Sequence, residues 1–230
     1  MPHTEVGTVL VTGGARGLGR AITDAVAKAG GTPVVLDVAE PTGDVDWLQA
    51  DLADARAAER AVAQAVDRHS GLDAVVTAAG VDACGDLADV PATDWERVIA
   101  VNLVGTAAVV RAALPTLTAR HGRVVTVAST LGLRALPAAT AYSASKFGVV
   151  GFTRALAAEL AGRVGVTLLL PGGMRTGFFD GRAEQFKPAA DQQLNEPEDV
   201  AEAVLFALRQ PRGCEVRELL IAPSTEPSWP

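Results

Sequence analysis

The chain's single tyrosine, Tyr142, stands four residues before Lys146, one of only three lysines, in Tyr142-Ser143-Ala144-Ser145-Lys146. On a helix that spacing places two side chains on one face. A phenol with its ordinary pKa of about 10 is a poor base at neutrality, and a neighbouring ammonium favours the ionised form. The pair is thus suited to exchanging a proton with an oxygen. Ser129, thirteen residues ahead of Tyr142 at the end of an apolar run, is placed to donate a hydrogen bond to the same oxygen. The other 17 basic residues are arginine. That scarcity of lysine and tyrosine also fits a coding bias, so the argument rests on position.

A second constellation lies near the N-terminus. Thr12-Gly13-Gly14-Ala15-Arg16-Gly17-Leu18-Gly19 follows the β-branched run Thr8 to Thr12 and opens a helical pattern from Leu18 to Ala29. A strand leading through glycines into a helix presents unpaired amides and the positive end of a dipole to phosphate. The next apolar run, 33–37, closes on Asp37, 18 residues beyond Gly19. A carboxylate there can accept from ribose hydroxyls and repels a 2′-phosphate, favouring NAD over NADP. Arg16 argues the other way, since a guanidinium in the turn could pair with that phosphate. A P-loop is excluded because Arg20-Ala21 stand where Lys and Ser or Thr are required.

Apolar runs alternating with helical patterns must position these groups. Strands are expected at 8–12, 33–37, 72–77, 122–128, 164–170 and 215–221, with helices at 18–29, 54–69, from Thr93 or Asp94 towards Arg120, 141–161 and 197–208. Pro115 is expected to kink the third helix or end it early. Residues 38–49 read as a polar loop, and 175–196 as an irregular lid with at most short helices. Strands apolar throughout, alternating with helices, indicate an α/β fold: one doubly wound parallel sheet of about seven strands flanked by helices, a single Rossmann domain spanning 1–230. No linker or internal repeat divides the chain.

Composition narrows the partners. The 20 basic and 27 acidic residues give a net charge of −7 and no basic footprint for nucleic acid or anionic lipid. A small-molecule substrate is the expected partner. The chain opens without a signal-peptide pattern and holds no run of 18 apolar residues, so neither export nor a membrane span is expected. Cys84 and Cys214 lie 130 residues apart without metal-ligand spacing, and are expected as free thiols in a reducing cytoplasm. No metal is expected.

Together these residues resemble the short-chain dehydrogenase/reductase family. Its TGxxxGxG is present as Thr12, Gly13, Gly17 and Gly19, and its YxxxK as Tyr142 and Lys146. The resemblance maps the family's catalytic serine onto Ser129 and its asparagine onto Asn102. The family's adenine-side aspartate maps onto Asp51, followed by Leu52, and its PG turn with a later threonine onto Pro171, Gly172 and Thr176. Arg16, Leu18, Ala79, Gly80 and Met174 complete the expected cofactor contacts. The match runs from residue 8 to about 221. Two departures stand out. The family's NNAG is Thr77-Ala78-Ala79-Gly80 here, so support for the central sheet must come from elsewhere, and the usual DGG is replaced by Glu218-Leu219-Leu220-Ile221-Ala222-Pro223.

The resemblance implies hydride transfer between a nicotinamide and a secondary alcohol or ketone. Tyr142 would exchange the proton, Ser129 polarise the oxygen, Lys146 lower the phenol pKa and bind the ribose, and Asn102 kink its helix and hold a water. Thr130, Leu131, Leu136, Met174, Phe178, Phe179 and Phe186 are expected to wall an apolar pocket. Arg175, Arg182 and Lys187 are alternative partners for a substrate carboxylate or phosphate, against a simpler reading as solvated side chains. A cofactor-binding sensor with little turnover is the competing class, and the complete set of proton-handling residues weighs against it. The resemblance further implies a homodimer or homotetramer paired through helices 95–119 and 141–161. Trp229 is a candidate for docking on a neighbouring subunit or the lid.

Overall fold

The computed structural model describes residues 5–228. The chain builds β1 (Thr8–Thr12), α1 (Gly17–Lys28), β2 (Thr32–Asp37), β3 (Asp46–Gln49), α2 (Ala55–His69), β4 (Ala74–Thr77) and α3 (Ala92–Ile99). A π-helical segment, Ala100–Gly105, joins α3 to α4 (Thr106–Arg120). There follow β5 (Arg123–Val127), α5 (Thr140–Glu159), β6 (Gly165–Pro171), α6 (Pro197–Leu208) and β7 (Glu218–Ile221). All seven strands are parallel in the order β3-β2-β1-β4-β5-β6-β7.

Alternation along the strands feeds two cores. Val9 and Val11 of β1 pack with Ile22 of α1 and Val204 of α6, whereas Leu10 packs with Val62 of α2 and Val109 of α4. Both sheet faces are therefore covered, which is why the strands read as continuous apolar runs rather than alternating ones. The order reverses between β1 and β4, and in such sheets ligands bind outside the carboxyl ends of the strands at that point. The glycine turn, Asp37, Gly80, Ser129 and Pro171 all fall at or beyond carboxyl ends.

Two expectations are corrected and one is narrowed to its first alternative. Residues 46–49 form the edge strand β3 rather than loop, pairing Leu48 with Leu36 of β2. Leu48 is its buried side chain, and one buried residue in a four-residue edge strand leaves no period to read. Pro115 lies inside α4 without ending it. Both Pro115 and Arg111, whose carbonyl loses its i+4 donor, are exposed residues, which lowers the cost of the missing bond. The start of α3 is Pro91, with no side-chain cap, rather than Thr93 or Asp94.

The helical stretch Ala92–Arg120 is long and apolar enough to cross a membrane by length and composition, but half of its most apolar window is buried within this domain. Cys84 and Cys214 are both free. Trp229 lies outside the described residues.

Candidate active site

The glycine turn is shaped by close approach. Gly13 has a φ of +70°, and a Cβ there would lie 2.7 Å from Ala79 Cα, so this turn and the one after β4 can touch only through glycine. Gly19 faces the Gly13 carbonyl closely enough that any side chain would collide with backbone. Arg16 is the N-cap of α1 in extended conformation, exposed, and contributes no side-chain cap. No side chain therefore caps the amides at the start of α1. Leu18 is buried against the core.

Asp37 sits beside this turn at the end of β2. Its carboxylate accepts from Ala15 N at 3.0 Å and from Ala39 N at 3.0 Å, tying the second strand to the glycine turn. Asp51 also lies at the carboxyl edge, where it pairs with Arg97 at 3.1 Å and accepts from Ala53 N, while Leu52 is buried. Thr176 approaches the glycine turn from the far side: a Cβ on Gly17 would lie 3.5 Å from Thr176 Cβ. The turn from Pro171 to Thr176 thus faces α1 across the crevice, with Met174 partly buried and bridged to Asn195.

The missing asparagines of the Thr77-Ala78-Ala79-Gly80 turn are replaced by two other groups. Ala79 N donates to Thr12 Oγ1 at 3.1 Å. Asn102, 1% exposed, accepts from Val81 N at 2.8 Å and donates to Val81 O at 2.9 Å and Ser145 Oγ at 3.0 Å. Asn102 lies within the π-helical segment, in keeping with such segments marking functional positions. Its amide is occupied by Val81 and Ser145, which gives Asn102 a positioning role. Thr77 Oγ1, where the family has its first asparagine, is buried without a hydrogen-bond partner.

Ser129, Tyr142 and Lys146 meet beyond β5. Ser129 caps the 3₁₀ turn Thr130–Gly132, accepting from Leu131 N at 3.1 Å, and its hydroxyl faces the Tyr142 phenol, favouring the ionised form. Lys146 is 4% exposed, donates to the Val127 carbonyl at 2.9 Å, and lies 5.5 Å from the Tyr142 ring centre. Gly80 closes the group: a Cβ there would lie 3.6 Å from Asn102 Oδ1 and 3.7 Å from Lys146 Nζ. Burial pushes the Tyr142 phenol well above the ordinary range, with Ser129 opposing it, and lowers Lys146 to about 8. The expectation that the ammonium lowers the phenol pKa is therefore overridden by burial in the ligand-free protein.

On the substrate side the structure sorts the expected wall. Phe178 packs on Tyr142 with ring centres 5.6 Å apart and Phe179 packs on Phe178 at 5.7 Å. Thr130 is buried, and its hydroxyl accepts from Ser228 Oγ at 2.7 Å. Leu131 and Phe186 are half-buried. Leu136 is 46% exposed on the loop before α5 and is not part of the enclosure. Arg175 and Lys187 are engaged at the surface with Glu196 and Glu184, each at 2.8 Å. Arg182 departs from the solvated reading, because it pairs with Asp82 at 2.8 Å with only 16% of its side chain exposed. Asp82, Cys84, Arg182, Glu226 and Ser228 carry no motif, and pairing across such sequence distances leaves no local signal.

Comparison with known proteins agrees with this arrangement. Residues 7–186 match the family model described as short chain dehydrogenase. The chain is 31% identical over 216 residues to a 3-oxoacyl-[acyl-carrier-protein] reductase of Thermotoga maritima, covering 86% of this chain and 88% of that one. It is 32% identical over 237 aligned residues to a glycine betaine reductase of Emericella nidulans, covering 95% of this chain but spanning only 19% of that protein's length. Among solved structures, a short-chain dehydrogenase from Burkholderia cenocepacia in complex with NADP superposes with a TM-score of 0.84 at 29% identity, covering 96% of this chain and 98% of that one. With a family model matched over residues 7–186 and a 31% identical relative covered over 88% of its length, the chain belongs to the short-chain dehydrogenase/reductase family of oxidoreductases.

Proposed function

We propose that this protein interconverts a secondary alcohol and a ketone with a nicotinamide dinucleotide, Tyr142 acting as acid and base at the substrate oxygen. The observation that carries this reading is the meeting of the Ser129 and Tyr142 hydroxyls beside buried Lys146. The chain's own residues fit the cofactor. An uncapped α1 N-terminus and the glycine cradle suit a pyrophosphate, and the turn Pro171 to Thr176 faces them across the crevice. When bound, the nicotinamide supplies or accepts the hydride. A phenol holds its proton at neutral pH and desolvation reinforces this at Tyr142, so the proton is available to a developing alkoxide. Ser129 would hold that oxygen by hydrogen bonding, and Lys146 would supply positive charge behind the phenol.

NAD is the favoured cofactor, because Asp37 stands where an adenosine ribose would lie and its charge opposes a 2′-phosphate. Arg16 is the residue that argues for NADP, which the Burkholderia relative carries. The Thermotoga relative's name and the Phe178 and Phe179 wall support a ketone with apolar substituents. Two free cysteines support a reducing compartment, the cytoplasm. Val104 and Phe147, each 46% exposed, support pairing of two copies through α4 and α5.

The test is absorbance at the nicotinamide band with NADH and NADPH against a panel of ketones, and with NAD and NADP against secondary alcohols. Turnover with at least one ketone is expected, faster with NADH. Cofactor binding without turnover on any member would favour the sensor.

A further inference from the structure

Three groups with no part in this proton chemistry surround Tyr142, Arg182 from the lid and Asp82 and Cys84 from the stretch after β4. Arg182 Nη2 lies 2.8 Å from Asp82 Oδ2, with side chains 16% and 8% exposed, the most enclosed ion pair among the described residues. The Asp82 carboxylate also accepts from Ala83 N at 2.7 Å and from Cys84 Sγ at 3.1 Å. The Arg182 guanidinium lies 4.8 Å over the Phe178 ring and 4.7 Å over Phe179, contacts in which a cation gains from the ring face. Phe178 in turn rests on Tyr142.

The pair therefore joins two segments separated by 100 residues: the stretch after β4 and the middle of the lid, between its short turns Gly177–Phe179 and Glu184–Phe186. Neither turn buries a residue. The lid's other ion pairs are exposed ones, Lys187 with Glu184 inside the lid and Arg175 with Glu196 at its base. Exposed pairs contribute little, whereas removing one partner of an enclosed pair strands a charge and is strongly destabilising locally.

We propose that Asp82 and Arg182 form the latch that closes residues 177–186 over Tyr142, so that this pair positions Phe178 as the wall of the substrate space and substrate enters when the latch opens. Asp82 and Arg182 are positioning residues, acting on the reaction through Phe178 and Tyr142. The proposal takes Tyr142 as the reacting centre from the proposed function, but its test is made on ligand-free protein and needs no turnover.

Tyr142 is the only tyrosine, so the phenol absorbance of the chain reports on the enclosure directly. The groups facing it are the Ser129 hydroxyl, the Lys146 ammonium, Asp82, Cys84 and Arg182. If the ion pair acted only through charge, Asp82→Asn would ease phenol ionisation and Arg182→Met would hinder it. A latch predicts the same direction for both, because opening hydrates the phenol. The experiment is a spectrophotometric alkaline titration, with amide hydrogen exchange of residues 177–186, on the parent, both single variants and Asp82→Asn/Arg182→Met.

In the parent the phenol should stay un-ionised beyond its usual range of about 10. Each single variant should bring ionisation back towards that range and speed lid exchange by about tenfold or more, the double variant going no further than either. Opposite shifts in the two single variants, or unchanged lid exchange, would overturn the latch. The double variant strands no charge, and if it alone folds, its titration and exchange decide the matter by the same criteria. A protein inactive on every ketone but showing these responses would sink the proposed function and leave the latch standing.

Discussion

Tyr142 and Lys146 share an environment that acts on them in opposite senses, since burial disfavours the charged form of each and so raises the phenol and lowers the ammonium. Removing the phenol hydroxyl isolates its chemistry: Tyr142→Phe should lose turnover by roughly three orders of magnitude or more while NADH binding, followed by fluorescence, stays near parental. Near-parental turnover would remove Tyr142 from the mechanism. Lys146 offers a second test through stability. Its pKa falls from 10.5 to about 8 on folding, so between those values the unfolded chain holds the extra proton and stability rises with pH. Below about 8 both states are protonated and the folded state bears the full burial penalty. Lys146→Met lacks this titration, so parent minus variant stability should grow by up to about 3 kcal/mol from pH 7 to 10.5. Urea denaturation across that range measures it, and a flat difference contradicts the assignment. The spacing of these two residues was legible in the sequence because one helix face fixes it. The depth of their burial was not, because β5, the lid and the Thr77 to Gly80 turn enclose them together.

The π-helical segment between α3 and α4 shows what one irregular element accomplishes. It holds Asn102, whose amide reaches both polar groups of Val81 in the turn after β4. Asn102→Ala should therefore leave Val81 N and O without partners and destabilise by about 2–4 kcal/mol, read as a lower urea midpoint. A loss under about 0.5 kcal/mol would show that the turn is held by other contacts. Element type was legible wherever a period or an apolar run extended over several residues, as for α1, β5 and β6. It failed for β3, where only Leu48 is buried, and the π segment was foreshadowed only by the kink at Asn102 that the family resemblance implies, since residues Ala100 to Gly105 carry an ordinary helical pattern. Pro115 left two outcomes open for a related reason: the cost of a proline depends on whether the carbonyl it leaves unpaired meets water, and that is a property of the packed helix. At the glycine turn, by contrast, the local sequence was sufficient, because the close approach at Gly13 admits no side chain.

At the scale of the molecule, parallel order and two covered faces followed from the rhythm of strands and helices, and right-handed crossovers leave few ways to arrange them. The departures at Thr77-Ala78-Ala79-Gly80 were visible, but their compensation by Thr12 and Asn102 belongs to the assembled sheet. The same holds for the outer faces of α4 and α5. Much of α5 is buried against the sheet, yet Phe147 is 46% exposed, as is Val104 in the segment leading into α4. Large apolar groups left in water on adjacent helices are what a second copy would cover. If pairing runs through these helices, Phe147→Glu places a charge in the covered region, and light scattering coupled to size exclusion should show a shift to monomer at micromolar concentration. Because Phe147 follows Lys146 directly, the parent and variant should also be compared for melting temperature and NADH binding. A monomer that retains cofactor affinity and loses only stability assigns pairing to support of α5, whereas an unchanged assembly mass means that another face of the sheet or helices joins the copies.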